Sequence, residues 1–224
     1  MTAVDWTALG LSVRLGLCTL AILLPFAFVL ARWLAFGRFR GRGFVEAFVA
    51  LPLILPPTVV GFYLLSAFGR HTAPGRIFES IIGHTLAFSF EGLVAASVLV
   101  NLPFAVQPMR NALAAIPSSL RDAARCCGLS PAATIRRIEL PLALPGLLTA
   151  AVLTFAHTLG EFGVVLMVGG CIPGETRTIA IAIYDQVQAF DDRSAGIMAL
   201  VLLTVSVLAL GITTTLARRS AGHR

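Results

Sequence analysis

The sequence predicts an all-α protein built as a polytopic bundle of membrane-spanning helices. Of its 224 residues, 57% are hydrophobic and only 12% are charged. A soluble domain of this size cannot bury so much apolar surface, so the composition indicates a membrane protein. Long runs without a charged residue locate the spans, because roughly 17–25 apolar residues are needed to cross a bilayer as a helix.

Five such runs are present, and together they make the whole chain, residues 1–224, a single transmembrane domain. The predicted spans are residues 15–31, 47–69, 92–109, 140–160 and 194–217. A sixth apolar piece, residues 80–90, is 11 residues long and contains His84. That piece is too short for a span, so we interpret it as an interfacial or re-entrant helix. The prediction is therefore five spans, or six if residues 80–90 also cross.

The positions of the arginines predict the orientation. Four arginines follow span one, five lie between spans three and four, and three follow span five. Segments rich in arginine stay on the cytoplasmic side, so the amino terminus is predicted outside and the carboxyl terminus in the cytoplasm. The formal net charge of +6 is then explained by the cytoplasmic segments of a membrane protein. Binding to nucleic acid is not needed to explain it.

All 17 basic residues are arginine, and the sequence contains no lysine. A P-loop places a lysine on the phosphates of ATP. This chain therefore cannot carry that type of ATP site, and any ATP that drives it must be hydrolysed by a second protein.

Span two contains candidate residues for a transport pathway. Its prolines and a glycine interrupt the backbone hydrogen bonds of the helix, and freed backbone groups at membrane depth must face protein or a watery cavity. The candidates in this span are Pro56, Pro57, Thr58 and Gly61. Broken helices near the bilayer centre are typical of transport pathways. The alternative is a kinked helix that serves packing alone.

Polar residues in spans three and four complete the candidate pathway. Asn101 lies in span three, and Gly160 and Glu161 end span four. A buried amide such as that of Asn101 is either a bond between helices or a substrate contact. His157 and Glu161 are four residues apart and share a helix face, so they form either a structural pair or a proton relay.

Residues 117–141, which we call the docking hairpin, form a polar island between spans three and four. The pattern predicts two short helices. Gly128 ends the first by adopting a left-handed conformation, and Ser130 and Pro131 begin the second. Pro141 is predicted to end the second helix and open span four. Such a hairpin suits docking to another protein, and the alternative is an amphipathic hairpin that lies on anionic lipid.

The hairpin resembles the coupling motif of binding-protein-dependent ABC importer permeases. The family pattern is Glu-Ala-Ala-x3-Gly-x9-Ile-x-Leu-Pro, and every spacing is kept here. The matching residues are Asp122, Ala123, Ala124, Gly128, Ile138, Leu140 and Pro141. The one departure is Asp122, where the family usually has Glu. Residues 51–63, 159–163 and 172–178 also resemble the molybdate permease subgroup, whose close relatives include sulfate and tungstate permeases.

This resemblance implies an ABC importer type I permease fold in a bacterial-type inner membrane. It implies a homodimer of this chain, with the seven motif residues contacting cytoplasmic ABC ATPase subunits that hold the ATP and Mg. It also implies an extracytoplasmic molybdate-binding protein and molybdate as the substrate. The chain itself would then be no enzyme and would bind no cofactor or metal. The rival hypotheses are a tungstate or sulfate permease, a proton-coupled secondary anion carrier, and a membrane scaffold that transports nothing.

Overall fold

The computed structural model describes residues 4–221, and the side chains of residues 4–211. Within residues 4–221 the regular structure is helical and includes no β-strand. The helices are α1 (Trp6–Phe36), α2 (Arg42–Ile54), α3 (Pro57–Phe68), α4 (Ala73–Ile82), α5 (Phe90–Val100), α6 (Leu102–Ala114), α7 (Ser118–Cys126), α8 (Pro131–Thr134), a π-helical turn (Ile135–Glu139), α9 (Leu140–Gly160), α10 (Gly163–Gly169), α11 (Ile179–Gln188) and α12 (Asp192–Ala221). The predicted all-α class is confirmed.

The number of membrane crossings agrees with the charge-free runs. Helix α1, the continuous helix Pro131–Gly160 and helix α12 are each long and apolar enough to cross a membrane alone. Two helix pairs reach that length only together: α2 with α3, bent by 112°, and α5 with α6, bent by 41°. Counting each bent pair as one span gives up to five crossings among the described residues. The helices extend past the predicted spans because a charged residue at the membrane edge does not end a helix.

The predicted interruption of span two is confirmed and lies at Leu55 and Pro56. Leu55 is extended, with a ψ of 140°, as expected for a residue before proline. Pro57 then occupies the first position of α3, where its missing N–H costs no hydrogen bond. Span three bends less sharply at Asn101, just before Leu102 and Pro103.

The helix predicted over residues 80–90 is wrong. Helix α4 ends at Ile82 because Gly83 adopts a left-handed conformation, with a φ of +87°. Residues 83–89 form turns and irregular backbone up to Ser89, whose hydroxyl caps the start of α5. Apolar composition alone predicts a helix here, but Gly83 divides the stretch and ends the helix.

The core is formed where α1, α6 and α9 pack together. Its fully buried side chains include Leu23 and Leu34 of α1, Met109 of α6 and Ala150 of α9. A second cluster joins α3, α5 and α10 and includes Val100 and Val168. Because α5 continues into α6 and α9 is followed directly by α10, the two clusters form one helix bundle around the polar residues described below.

Candidate functional site

The first arm of the docking hairpin ends as the sequence predicts. After α7, Gly128 has a φ of +73°. Its N–H donates to the carbonyl of Arg125 at 2.9 Å, and the N–H of Leu129 donates to the carbonyl of Ala124 at 3.0 Å. This pair of bonds is a Schellman motif, which satisfies the last carbonyls of the helix. A Cβ on Gly128 would have nothing within 4 Å. The backbone conformation, and not the available space, therefore requires glycine here.

The second arm begins as predicted but does not end at Pro141. The Ser130 hydroxyl accepts a hydrogen bond from the N–H of Ala133 at 3.3 Å and caps the helix, with Pro131 in its first turn. From Pro131 the helix runs without a break to Gly160. The prediction that Pro141 closes a separate helix is wrong.

A π-helical turn explains how the helix continues past this proline. Proline lacks an N–H and clashes with the carbonyl four residues before it in an α-helix. Here the backbone over Ile135–Glu139 is wider, and the N–H of Leu140 bonds to the carbonyl of Ile135, five residues back. The wider turn accommodates Pro141 inside the helix. The second arm of the hairpin and span four are consequently one continuous helix.

The motif residues of the hairpin divide into exposed and inward-packed groups. Asp122, Ala123, Gly128, Leu140 and Pro141 are exposed, Ala124 is buried and Ile138 is half-buried. The carboxylate of Asp122 lies 3.3 Å from Nη1 of Arg125 on the exposed side of α7. Most of the motif residues are therefore exposed on the isolated chain, whereas Ala124 packs against the rest of the chain.

Glu139, within the same motif, is a site residue that sequence reasoning missed. Its side chain is fully buried, and its carboxylate contacts Arg32 of α1 and Arg121 of α7. The family motif leaves this position unspecified, so the resemblance implies no role for it. One feature of the sequence points to Glu139. It is an acidic residue directly before a charge-free run, and several arginines lie within twenty residues of it.

The helices that follow the breaks in spans two and four pack against each other. A Cβ on Gly163, the first residue of α10, would lie 2.8 Å from the Cβ of Pro57, the first residue of α3. One turn further along α3, a Cβ on Gly61 would lie 2.7 Å from the Cβ of Met167. The two helix breaks, at Pro56 and at Glu161, are therefore side by side, and α3 packs on α10 through glycine.

The pathway candidates differ in exposure. Pro56, Pro57, Thr58 and Gly160 are exposed on the isolated chain, whereas Gly61, Asn101 and Glu161 are buried. Asn101 is 1% exposed. Its Nδ2 donates to the carbonyl of Ser97 at 2.8 Å and to the hydroxyl of Thr158 at 3.1 Å. This geometry ties α5 to α9 and favours the bond between helices over the substrate contact.

Glu161 serves as a helix cap. Its Oε1 accepts a hydrogen bond from the N–H of Val164 at 2.9 Å and so satisfies a free donor at the start of α10. Its Oε2 lies 3.7 Å from Nε2 of His157. The His157 ring stacks on Phe104 with 4.1 Å between ring centroids. These contacts favour the structural pair over the proton relay.

An ion cluster fixes the end of the bundle opposite the docking hairpin. Arg177 contacts Asp5, which caps the start of α1, at 3.1 Å and Asp185 of α11 at 2.9 Å. Cys171 donates a weak hydrogen bond to Asp185. Partial burial raises the pKa of the Cys171 thiol above its ordinary value, and the neighbouring Asp185 carboxylate raises it further. The segment from Cys171 to Asp185 is thus tied to the amino-terminal end of α1.

Comparison with known proteins gives consistent results. Residues 24–222 match the family described as binding-protein-dependent transport system inner membrane component. The molybdenum transport system permease protein ModB of Azotobacter vinelandii is 46% identical over 206 residues, which cover 92% of this chain and 91% of that protein. ModB of Escherichia coli K12 is 36% identical over 221 residues, covering 98% and 96% respectively.

A solved structure shares the fold. A chain from the crystal structure of a bacterial ABC transporter involved in the import of the acidic polysaccharide alginate superposes with a TM-score of 0.76 over 96% of this chain and 79% of that chain. The sequence identity is 17%, so this likeness concerns the fold alone.

Proposed function

Because the chain belongs to the family of binding-protein-dependent transport system inner membrane components, we propose that it is the membrane-spanning permease subunit of an ATP-driven molybdate importer. Separate ABC ATPase subunits hydrolyse the ATP in the cytoplasm, and an extracytoplasmic binding protein delivers the anion. The chain is a multi-pass inner-membrane protein. Its amino terminus faces outward and its carboxyl terminus the cytoplasm, an orientation supported by the placement of the arginines.

The observation that carries the proposal is the continuity of the docking hairpin with span four. The exposed surface around Asp122 and Ala123 is where an ATPase subunit docks. The second arm continues through the π-helical turn into α9 and reaches Gly160, which is itself a pathway candidate. A displacement of the hairpin is therefore transmitted along a single helix to the break at Glu161. Such a switch requires the ATPase to hold the hairpin differently in its two nucleotide states.

The exposure of the pathway candidates supports a homodimer. Pro56, Pro57, Thr58 and Gly160 are exposed on one chain, beside the exposed aromatic residues Phe62 and Tyr63 of α3. A single copy thus leaves its half of a pathway open along one side. A second copy encloses it, with the two broken helices as opposing walls. Two copies also supply two hairpins for two ATPase subunits.

The residues near the pathway suit weak binding of a dianion. Transfer of such an ion into hydrocarbon is very costly, yet no arginine lies within any of the five charge-free runs. Hydroxyl and backbone dipoles, such as those of Thr58 and the exposed start of α3, support the anion during passage. Weak contacts permit release, and selectivity is then left largely to the binding protein.

Molybdate is favoured among the related oxyanions because the ModB relatives are molybdenum permeases and are similar over nearly the whole chain. The test is reconstitution of the chain in vesicles with its ATPase and binding protein, followed by uptake of molybdate in competition with tungstate and sulfate. Molybdate uptake that requires ATP and that sulfate inhibits only weakly supports the proposal. Uptake that follows a proton gradient without ATP would support a secondary carrier instead.

A further inference from the structure

Glu139 links three parts of the chain at the inner end of the bundle. Its Oε2 lies 2.6 Å from Nε of Arg32, and its Oε1 lies 3.2 Å from Nη2 of the same arginine. Nε of Arg121 approaches Oε1 at 3.3 Å. Arg32 belongs to α1, Arg121 to α7 and Glu139 to the π-helical turn that leads into α9. A single buried carboxylate therefore receives cations from two elements that are far apart in sequence.

An aromatic ring completes this group, which we call the Glu139 cluster (Arg32, Phe36, Arg121 and Glu139). The guanidinium of Arg121 lies over the face of Phe36, 3.6 Å from the ring centroid, and that of Arg32 lies 5.8 Å from it. A cation over an aromatic face is attracted by the ring, more strongly when both are partly withdrawn from water. The ring and the carboxylate together fix the direction in which Arg121 leaves α7.

Helix α7 has little else to hold it against the bundle. Ala124 is its one buried residue within Ser118–Cys126. Arg121 and Ala124 are three residues apart and so share the face that is turned inward. With so little apolar surface buried, hydrophobic packing alone holds this helix weakly. Among the side chains of α7, Arg121 makes the ion pair with Glu139 and the ring contact with Phe36 that link this helix to the π-helical turn and to α1.

We propose that Glu139 is a positioning residue that binds α7 to the inner ends of α1 and α9, so that the docking hairpin and these two helices move as one body. The inference rests on the proposed function, since it specifies how docking of an ATPase is transmitted to the span. Separation of α7 from α9 would leave the buried Glu139 carboxylate with one cation in place of two and would remove Arg121 from the face of Phe36, and both losses are costly. The cluster therefore resists any separation of α7 from α9, and a pull on the exposed side of α7 is passed to both long helices.

The attachment is tested directly in the full chain in lipid nanodiscs. A spin label is placed on Cys126, with the other three cysteines replaced by serine, and its mobility is measured. Arg121→Gln removes the link to α7 but leaves Glu139 paired with Arg32. The matched control, Arg32→Gln, leaves Glu139 paired with Arg121. We expect label mobility to rise clearly in Arg121→Gln and to change little in Arg32→Gln.

The role in coupling is tested in the complete importer, by the number of ATP molecules hydrolysed per anion taken up. We expect that ratio to rise between about two- and thirty-fold in Arg121→Gln, the range of coupling changes seen for single substitutions. Arg42→Gln, which removes an ion pair with Glu46 on α2, should leave both readouts unchanged. A merely structural role would lower the amount of protein without changing this ratio.

The outcomes separate the inference from the function on which it rests. Unchanged label mobility in Arg121→Gln would overturn the attachment, whatever the transport assays show. Raised mobility with an unchanged ATP-to-anion ratio would overturn the positioning role. If the natural chain shows no ATP-driven uptake, the proposed function and the positioning role both fail, while the label still decides whether Arg121 holds α7.

Discussion

Gly163 of α10 lies directly against Pro57 of α3, so closely that a Cβ on Gly163 would sit 2.8 Å from that of Pro57. The contact brings together the starts of two helices that follow breaks in spans two and four. Each break leaves backbone groups without partners inside its own helix. Side by side, the two breaks form one irregular region, and at membrane depth such backbone must face protein or a water-filled cavity.

Substitution of Gly61 should separate α3 from α10. In Gly61→Val the new Cβ would lie 2.7 Å from the Cβ of Met167 and 3.2 Å from the Cα of Val164, where backbone cannot easily move. Overpacking of this kind costs about 1–3 kcal/mol. We expect a lower unfolding temperature in detergent, together with a loss of uptake in the reconstituted importer.

Gly10→Ala is the control for this substitution. Gly10 lies in helix α1, and a Cβ there has nothing within 4 Å. Alanine favours helix over glycine by up to about 1 kcal/mol, so this variant should be as stable as the natural chain or more stable. If Gly61→Val is equally stable, the close packing of α3 on α10 is wrong.

Gly128 should tolerate only residues that accept a left-handed conformation. Gly128→Val and Gly128→Ala force a side chain into a φ of +73°, at a cost of roughly 1–2 kcal/mol. We expect these variants to insert in the membrane but to retain less ATPase on purification and to lose ATP-driven uptake. Gly128→Asn is the matched variant, since asparagine visits this conformation more readily and should keep much of the activity. Normal uptake by Gly128→Val would rule out the docking role.

Much of this structure could be predicted from residues whose effects are local. The break at Pro56 follows from how proline restricts its neighbour, and the end of α7 follows from the need for glycine at a positive φ. The candidate crossings, up to five among the described residues, follow from the cost of charge in lipid. In each case a few adjacent residues determine the outcome, so the pattern in the sequence is sufficient.

The features that were missed depend on contacts between distant residues or on compensating changes in the backbone. Pro141 by itself indicates a helix end, but the preceding π-helical turn makes room for it, and no simple pattern announces such a turn. Glu139 and Arg32 are 107 residues apart, so their pairing is visible only once α1 and α9 are packed. The sequence leaves Asn101 open between a bond to another helix and a substrate contact, and the bond from its Nδ2 to Thr158 is visible only once α5 and α9 are packed.

The cysteines of the natural chain test the proposed orientation. Cys126 and Cys127 are exposed at the docking hairpin, and Cys171 is exposed in the segment tied to the amino-terminal end of α1. In variants that each keep one cysteine, we expect a membrane-impermeant maleimide to label Cys171 on intact cells. Cys126 should react only after the membrane is opened, and less so when the ATPase is bound. Labelling of Cys126 from outside would reverse the topology.

The reaction of Cys171 should also depend on pH in a defined direction. The thiolate is the reactive form. Because burial and the Asp185 carboxylate raise the pKa of this thiol, its thiolate fraction at neutral pH is below that of an ordinary cysteine, and labelling should accelerate only at higher pH. Asp185→Asn removes the neighbouring negative charge, so the pH profile should move to lower pH. An unchanged profile would contradict the contact between Cys171 and Asp185.

Glu161 offers the sharpest distinction between an ATP-driven permease and a proton-coupled carrier. As a cap, Glu161 needs only an oxygen that accepts the N–H of Val164, and glutamine supplies one. Glu161→Gln should therefore keep ATP-driven uptake near the natural level. Glu161→Ala loses the acceptor and should lower the free energy of unfolding by about 1 kcal/mol, as is typical for a lost helix cap.

A proton relay predicts the opposite result for Glu161→Gln, because an amide cannot take up and release a proton as a carboxylate does. Loss of uptake in Glu161→Gln with normal protein stability would thus favour the relay, and retained uptake assigns the buried carboxylate to the architecture of α10.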